Sequence, residues 1–138
     1  MIGLDTNILA RYYIEDSTDT QAARQRVAAR QIIESGHPLM VCKTVILELE
    51  WVMRGYYGFS NEQALSVLQH LINLPHINIE DRATVERALS HAEAGIDLAD
   101  ALHHASYRGC ESVASFDDKK LARRARKMGL TPPIIVPG

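Results

Sequence analysis

The segment Met1-Ile-Gly-Leu-Asp-Thr-Asn-Ile-Leu9 opens the chain with a short apolar strand that stops at the carboxylate of Asp5. Thr6 and Asn7 follow at once, and an apolar run restarts at Ile8. Open α/β sheets bind their ligands outside the carboxyl ends of the strands, and an acid at a strand end lies at that edge. Asp5 is therefore the first candidate site residue, and capping of the following helix is the alternative explanation for it.

Bulk properties predict one globular domain over residues 1–138. The chain is 46% hydrophobic and 23% charged, which fits a single core. No apolar run approaches the ~18 residues that cross a bilayer, and no signal peptide is visible, so we expect a cytoplasmic protein without membrane contact. Cys42 and Cys110 lack the CxxC spacing of a zinc knuckle and give no disulfide framework. Both are predicted to be small buried residues.

The net charge of −2 gives no overall signal for binding to nucleic acid. The run Arg-Arg-Ala-Arg-Lys at residues 123–127 is a local exception. A solvated helix face, with cations that suit the helix C-terminus, is the preferred interpretation of this run. Contact with phosphates is the alternative.

Apolar segments alternate with helical periods along the chain. Strands alternating with helices across short connections predict an α/β fold, in which a parallel sheet of four to five strands is covered by helices on both faces. Asp5 and Asp117 each follow a strand, so both acids are expected at the carboxyl edge of that sheet. The predicted strands cover residues 2–4, 39–42, 76–79, 112–115 and, in shorter form, 133–136; the predicted helices cover residues 18–35, 44–57, 60–74, 82–94, 97–107 and 117–128.

Two glutamates of the second predicted helix stand two residues apart and so face different sides. Glu50 has Arg54 at i+4, in the order favoured for a solvated ion pair. Glu48 has apolar neighbours such as Val45 and Val52, and no base one turn away. Because a carboxylate on an apolar stripe is costly without a partner, Glu48 is predicted to point into a site.

Asp97 and Asp100 stand three apart at the start of another predicted helix. Capping accounts well for Asp97, whereas Asp100 lies in a turn lined by alanine and leucine, which is less easily explained. His104, at i+4 from Asp100, is interpreted as a surface histidine in preference to a ligand. Capping is also the alternative explanation for Asp117, and Asp118 is expected in the first turn, balanced by nearby lysines.

Taken together, the pattern is a strand-end aspartate, a helical glutamate, a helix-start aspartate and a second strand-end aspartate. Carboxylates brought together repel one another and resist ionisation, and a hard divalent cation such as Mg²⁺ or Mn²⁺ removes that conflict. Such a metal can activate a water to attack phosphorus, so the pattern predicts phosphodiester hydrolysis. The chain contains no P-loop, no GxGxxG and no serine or cysteine nucleophile with an evident base.

At this point the chain resembles a known family, the PIN-domain ribonucleases, and most closely the VapC-type toxins of prokaryotic toxin–antitoxin pairs. The resemblance covers essentially the whole chain in order. It rests on Leu4-Asp5-Thr6-Asn7-Ile8-Leu9, on Glu48 in Val45-Ile-Leu-Glu-Leu, on Asp97-Leu-Ala-Asp100-Ala-Leu and on Ser115-Phe-Asp117.

The resemblance implies a three-layer α/β/α sandwich with a central parallel sheet, and Mg²⁺- or Mn²⁺-dependent endoribonuclease activity on tRNA or rRNA. It also implies a homodimer that a cognate antitoxin inhibits by binding over the acidic cleft. Asp5 and Asp100 would be the metal ligands, and Glu48 and Asp117 would complete the cluster or position the water. Ser115 would support the strand-end acid, and Asp97 is an accessory candidate.

Two other readings are open from the residues. A receiver-like signalling domain would accept phosphate on a strand-end aspartate, but the acid pair that it needs near the N-terminus is missing. A non-catalytic PIN-like module would use its acids only as helix caps. The presence of acids at all four positions argues against that second reading.

Overall fold

Five short strands, all paired in parallel, alternate with seven α-helices in this protein. The structure, a computed structural model, describes all 138 residues. The α/β class predicted from the sequence is confirmed. The strands are β1 (Ile2–Gly3), β2 (Leu39–Val41), β3 (Ile77–Ile79), β4 (Val113–Ala114) and β5 (Ile134–Ile135); the helices are α1 (Thr6–Tyr13), α2 (Ala22–Ile33), α3 (Lys43–Trp51), α4 (Asn61–Ile72), α5 (Arg82–Glu93), α6 (Leu98–Ser106) and α7 (Arg123–Met128).

The chain forms two compact units, residues 1–81 and residues 82–138. In the first unit, β1, β2 and β3 make a parallel sheet in which Leu39 of β2 lies opposite Ile2 on one side and Ile77 on the other. In the second unit, β4 pairs with β5, with Val113 opposite Ile134. The five strands are therefore hydrogen-bonded as a set of three and a set of two.

The first unit is held together by the apolar faces of α1, α3 and α4. Leu9, Ile46, Leu49 and Leu68 are fully buried, and α1 packs against both α2 and α3. The predicted capping box at the start of α4 is present. The Ser60 hydroxyl accepts a hydrogen bond from the backbone of residue 63, whose side chain accepts one from the backbone of residue 60.

Helix α2 begins at Ala22, four residues later than predicted. The Asp16 carboxylate accepts hydrogen bonds from the backbone and the hydroxyl of Thr18, and Asp19 accepts one from the backbone of Gln21. Such local side-chain bonds offer the backbone an alternative to helix, which explains the late start.

Helix α3 does not continue as regular helix to residue 57, as the pattern predicted. It passes into a π-helical segment, Val52–Tyr56. This segment leaves the side chains of Trp51 and Tyr56 exposed, and the indole of Trp51 lies against Gly55, where an added methyl group would be 3.5 Å from the ring. Short π-helical insertions are rare and often occur at functional sites.

The second unit is built on α5 and α6, which bury Ala88, Leu89 and Ala101. A second π-helical segment, Asp118–Ala122, leads into α7, which Gly129 ends in the left-handed conformation with φ 66°. The prediction that both cysteines are buried is wrong: Cys42 is half-buried and Cys110 is exposed, because both lie at connections between elements. None of the helices is long and apolar enough to span a membrane.

Candidate active site

Asp5 lies between the carboxyl end of β1 and the first turn of α1. The preceding Leu4 donates its backbone N–H to the carbonyl of Met40 on the neighbouring strand, at 2.9 Å, which fixes the chain at the sheet edge. One carboxylate oxygen of Asp5 accepts the N–H of Thr6 at 2.8 Å, so the residue also caps α1. The cap uses Oδ1 and not the other oxygen of this exposed carboxylate, and Asp5 lines an adjacent cavity.

That cavity, of about 830 Å³, brings Asp5 and Glu48 together in the first unit. Asp5 comes from the start of α1 and Glu48 from the middle of α3, two helices that pack against each other. Neither carboxylate forms an ion pair. The cavity also contains the exposed rings of Trp51 and Tyr56 from the end of α3 and its π-helical continuation.

Glu48 lines this cavity, but it does not lie on a buried apolar stripe, as was assumed from the sequence. Glu48 is exposed, whereas Glu50 is only 3% exposed and forms an ion pair with Arg54. The buried face of α3 and its π-helical continuation includes Val45, Ile46, Leu49 and Met53, and it extends to Glu50 and not to Glu48. The predicted pair of Glu50 and Arg54 exists, but its acid is buried instead of solvated.

Arg11, which also lines this cavity, forms ion pairs with two acids that were not singled out from the sequence. Its guanidinium lies 2.6 Å from Asp19 and 3.7 Å from Asp16. The pKa of Asp16 is lowered mainly by its hydrogen bonds from Thr18, with further contributions from Tyr57 and the charge of Arg11. The only sequence signal for this network is the cluster of aspartate and threonine at residues 16–19, typical of a turn. Its acids are thus matched by partners, unlike Asp5 and Glu48.

In the second unit, three aspartates lie close enough to influence one another. Asp97 caps α6 as predicted, accepting the backbone N–H groups of Ala99 and Asp100 at 3.0 and 3.4 Å. Asp100 occupies the first turn of that helix and is half-buried. The pKa of Asp100 is raised, first by burial and then by the negative charges of Asp97 and Asp117. An acid held against other acids in this way favours a cation nearby.

Asp117 is held at the end of β4 by two backbone hydrogen bonds. Its own N–H donates to the hydroxyl of Ser115 at 3.1 Å, and its carboxylate accepts the N–H of Lys120 at 3.0 Å. The first bond is the contact expected for Ser115 from the family resemblance, and the second makes Asp117 the cap of the π-helical segment. Asp118 is exposed and pairs at 3.9 Å with Arg126, instead of the neighbouring lysines.

His104 is not the surface histidine that the sequence analysis expected. It is 3% exposed, and its Nε2 lies 2.8 Å from the carbonyl oxygen of Pro132, to which it donates. The ring lies beside His91, with 6.2 Å between the ring centroids. His104 points into the packing of the second unit, so it is a structural residue and not a partner of Asp100.

The chemistry of the donor set fits a hard divalent cation. Asp5 and Glu48 share one cavity, where the buried hydroxyl of Thr6 has no hydrogen-bond partner. In the second unit, the negative charges of Asp97 and Asp117 act on the half-buried Asp100. Oxygen ligands of this type are those that Mg²⁺ and Mn²⁺ prefer. No group of three or more histidine, cysteine or acidic side chains is close enough within either unit to enclose a metal by itself.

A strand-end acid and a helical acid thus recur in each unit, as Asp5 with Glu48 and as Asp117 with Asp100. The PIN domain family model matches residues 2–127, nearly the whole chain. The protein therefore belongs to the PIN-domain family, whose members are α/β proteins and generally metal-dependent nucleases that bind RNA. No curated protein sequence matches the chain at a significant level.

Proposed function

We propose that this protein is a divalent-metal-dependent endoribonuclease and the toxin component of a prokaryotic type II toxin–antitoxin system. Its four candidate acids are Asp5, Glu48, Asp100 and Asp117, acting in one domain over residues 1–138. The observation that best supports this proposal is the proximity of Asp97 and Asp117 to Asp100, whose pKa is raised first by burial and then by those two negative charges. Crowded carboxylates are costly in a protein that does not bind a cation there.

The roles of the acids follow from their positions. Asp5 and Asp100 would hold Mg²⁺ or Mn²⁺. Only one of the two carboxylate oxygens of Asp5 is used in capping α1, and the pKa of Asp100 is raised by burial and by the negative charges of neighbouring acids. The bound metal would supply Lewis-acid stabilisation of the charge that develops on the phosphate. Glu48 and Asp117 would orient the attacking water and accept its proton through their carboxylate oxygens. Ser115 would keep Asp117 in place by accepting its N–H.

The expected partners are an RNA substrate, with tRNA or rRNA as the first candidates, and a cognate antitoxin that covers the acidic cleft. We expect a homodimer that acts in the cytoplasm, where such RNA is found. The cavity that contains Asp5 and Glu48 is open and has the exposed rings of Trp51 and Tyr56 at its side, which suits a surface that a protein segment can cover.

Cleavage of RNA by purified protein tests the proposal. The wild type, Asp5→Asn and Asp100→Asn would be incubated with total tRNA and rRNA in Mg²⁺, in Mn²⁺ and in EDTA. Asp118→Asn is the matched control, since Asp118 is an exposed acid next to the site. We expect metal-dependent cleavage by the wild type and the control, and loss of at least 100-fold in both site variants.

Cleavage that survives in Asp5→Asn and Asp100→Asn, with folding verified by circular dichroism, would show that the assigned acids are wrong. Intact RNA with every protein, together with no saturable Mn²⁺ binding, would favour the alternative of a non-catalytic binding module.

A further inference from the structure

The chain's positive charge is concentrated in a basic segment, defined as residues 119–127. This segment holds six of the 15 lysine and arginine residues and no aspartate or glutamate, so the remainder has nine basic residues against 17 acids. The basic segment is therefore strongly positive, although the net charge of the whole chain is −2. The six residues are Lys119, Lys120, Arg123, Arg124, Arg126 and Lys127, and the side chains of all six are exposed.

Few of these charges are neutralised within the protein. Arg126 forms a long ion pair of 3.9 Å with Asp118, and both side chains are about two-thirds exposed, so the pair contributes little. Arg124 donates a hydrogen bond to the carbonyl oxygen of Gly95, a neutral partner. A cluster of unpaired, exposed cations repels itself, and it is most stable when a polyanion lies against it.

The basic segment has three pairs of cations at i, i+4 spacing, Lys119 with Arg123, Lys120 with Arg124 and Arg123 with Lys127, and the first two of them share no residue. Lys120 and Arg124 line a small cleft together with Asp97 and Asp100. Lys119 and Arg123 have the same spacing and exposure but do not line that cleft. The two pairs have equal charge and lie on the same segment, and only one of them is beside the acids proposed for catalysis.

The pKa of Asp100 is raised, first by burial and then by the charges of Asp97 and Asp117, so this side of the cleft stays acidic beside the two cations. The cleft itself, about 40 Å³, is too small to enclose a phosphate group, so a phosphate would bind outside it, against the two basic side chains that line it.

We propose that Lys120 and Arg124 bind the phosphates that flank the scissile bond, and that the basic segment thereby holds the RNA backbone beside Asp100. This inference rests on the proposed ribonuclease function. An acidic site repels the phosphodiester that it must bind, and adjacent cations offset that repulsion. Arginine and lysine contacts to phosphates position a nucleic acid without reading its sequence.

Equilibrium binding of RNA tests this assignment separately from catalysis. The double variant Lys120→Gln/Arg124→Gln would be compared with the control Lys119→Gln/Arg123→Gln, which loses the same two charges. The probe is a fluorescein-labelled single-stranded RNA of 20 nucleotides, measured by anisotropy in EDTA from 50 to 200 mM KCl. Circular dichroism and thermal melting check that both variants fold as the wild type does.

The first variant is expected to bind at least fivefold more weakly and to lose about 1.4 from the slope of log K against log salt, as two lost single-strand phosphate contacts predict. The control is expected to stay within about twofold of the wild type. Equal weakening in the two variants would overturn the assignment, because it would show a general effect of net charge. Wild-type affinity in the first variant, or no RNA binding by the wild type, would overturn it as well.

The outcome can be separated from that of the proposed function. Cleavage by the wild type with unchanged binding in the first variant would reject the phosphate contacts and leave the nuclease in place. Selective loss of binding without cleavage by any protein would support the phosphate contacts and reject the nuclease. Competition by poly-glutamate as strong as that by RNA would reject a phosphate-specific surface in favour of one for acidic protein.

Discussion

Glu48 and Glu50 stand two residues apart on α3 and have opposite environments. Glu50 is buried in the core face of the helix, where it pairs with Arg54. Glu48 is exposed and lines the cavity that Asp5 enters from α1. One turn of helix therefore carries one acid that is paired in the core and one that is exposed beside a cavity.

This relationship predicts a clean separation of effects between the two glutamates. Glu50→Ala is expected to lower the free energy of unfolding by about 2 kcal/mol, because it removes a buried charged partner of Arg54. Glu48→Gln is expected to change that free energy by less than about 0.5 kcal/mol and to lower RNA cleavage at least tenfold. Urea unfolding and a cleavage assay on both variants check this. Equal destabilisation by the two substitutions would contradict it.

Asp100→Asn is expected to make the protein more stable while abolishing its activity. The raised pKa of Asp100 means that folding disfavours its ionised form. This lowers the free energy of unfolding at pH values above the folded pKa, and the loss disappears as the pH falls below about 3.8, where the carboxyl is protonated in both states. Because solvent screens this half-buried group, we expect Tm at pH 7 to rise by only about 1–3 °C. Differential scanning calorimetry measures the change, and a lower Tm would count against the crowding of the acids.

The effect of added metal on thermal stability is a second test of the site at Asp100. Saturating Mn²⁺ is expected to raise the Tm of the wild type by several degrees, since a ligand that binds only the folded state stabilises it. The same titration of Asp100→Asn is expected to give a much smaller rise. Asp118→Asn, which changes an exposed acid paired with Arg126, should respond as the wild type does. An equal response of all three proteins would mean that the metal binds elsewhere.

Ser115 is expected to act as a positioning residue for Asp117. Ser115→Ala removes the hydroxyl that accepts the Asp117 N–H and should cost about 1 kcal/mol of stability. We expect kcat to fall about tenfold with little change in KM, since the acid is displaced and RNA binding is retained. Ser115→Thr should restore most of kcat. A variant that loses stability but keeps kcat would reduce Ser115 to a structural role.

The pH dependence of stability is expected to depend on His91. Burial first, then the charges of Arg87 and His104, lowers the pKa of His91 below 6.5. Between the folded pKa and about 6.5, the unfolded chain therefore binds a proton at this residue that the folded protein does not. The free energy of unfolding falls as the pH drops through this range, and this residue has no further effect on it above about pH 7.5. Urea unfolding at pH 5.5 and 7.5 should show a smaller difference in His91→Gln than in the wild type. His37→Gln, at an exposed histidine, should keep the full difference.

Features set by near neighbours in the chain were predicted well from the sequence. The capping box of Ser60 and Gln63, the cap of Asp97 and the helix end at Gly129 each depend on two to four consecutive residues. The strand-end position of Asp5 follows in the same way, from a short apolar run and the residues after it. These features can be predicted from a few consecutive residues without knowledge of how distant parts of the chain pack.

Features set by packing were not predictable in the same way. Helix α3 has apolar residues on several sides, so its pattern did not show which of its two glutamates lies on the buried face, and Glu50 was placed in solvent. A π-helical turn adds one residue without a change of composition, which is why Val52–Tyr56 was read as ordinary helix. The contacts of Arg11 with residues 16 and 19 join α1 to a loop, and the hydrophobic periodicity of the sequence does not predict contacts of this kind.

Trp51 is the chain's single tryptophan, and its indole rests on Gly55 with its remaining surface open beside the cavity of Asp5 and Glu48. When the protein is excited at wavelengths that its five tyrosines do not absorb, the emission therefore originates from one fluorophore at the side of that cavity. Any cation, nucleotide or polypeptide that enters the cavity changes the polarity and quenching around this one ring. The fluorescence of Trp51 can therefore be used to follow binding in this cavity, without a label and without a substitution.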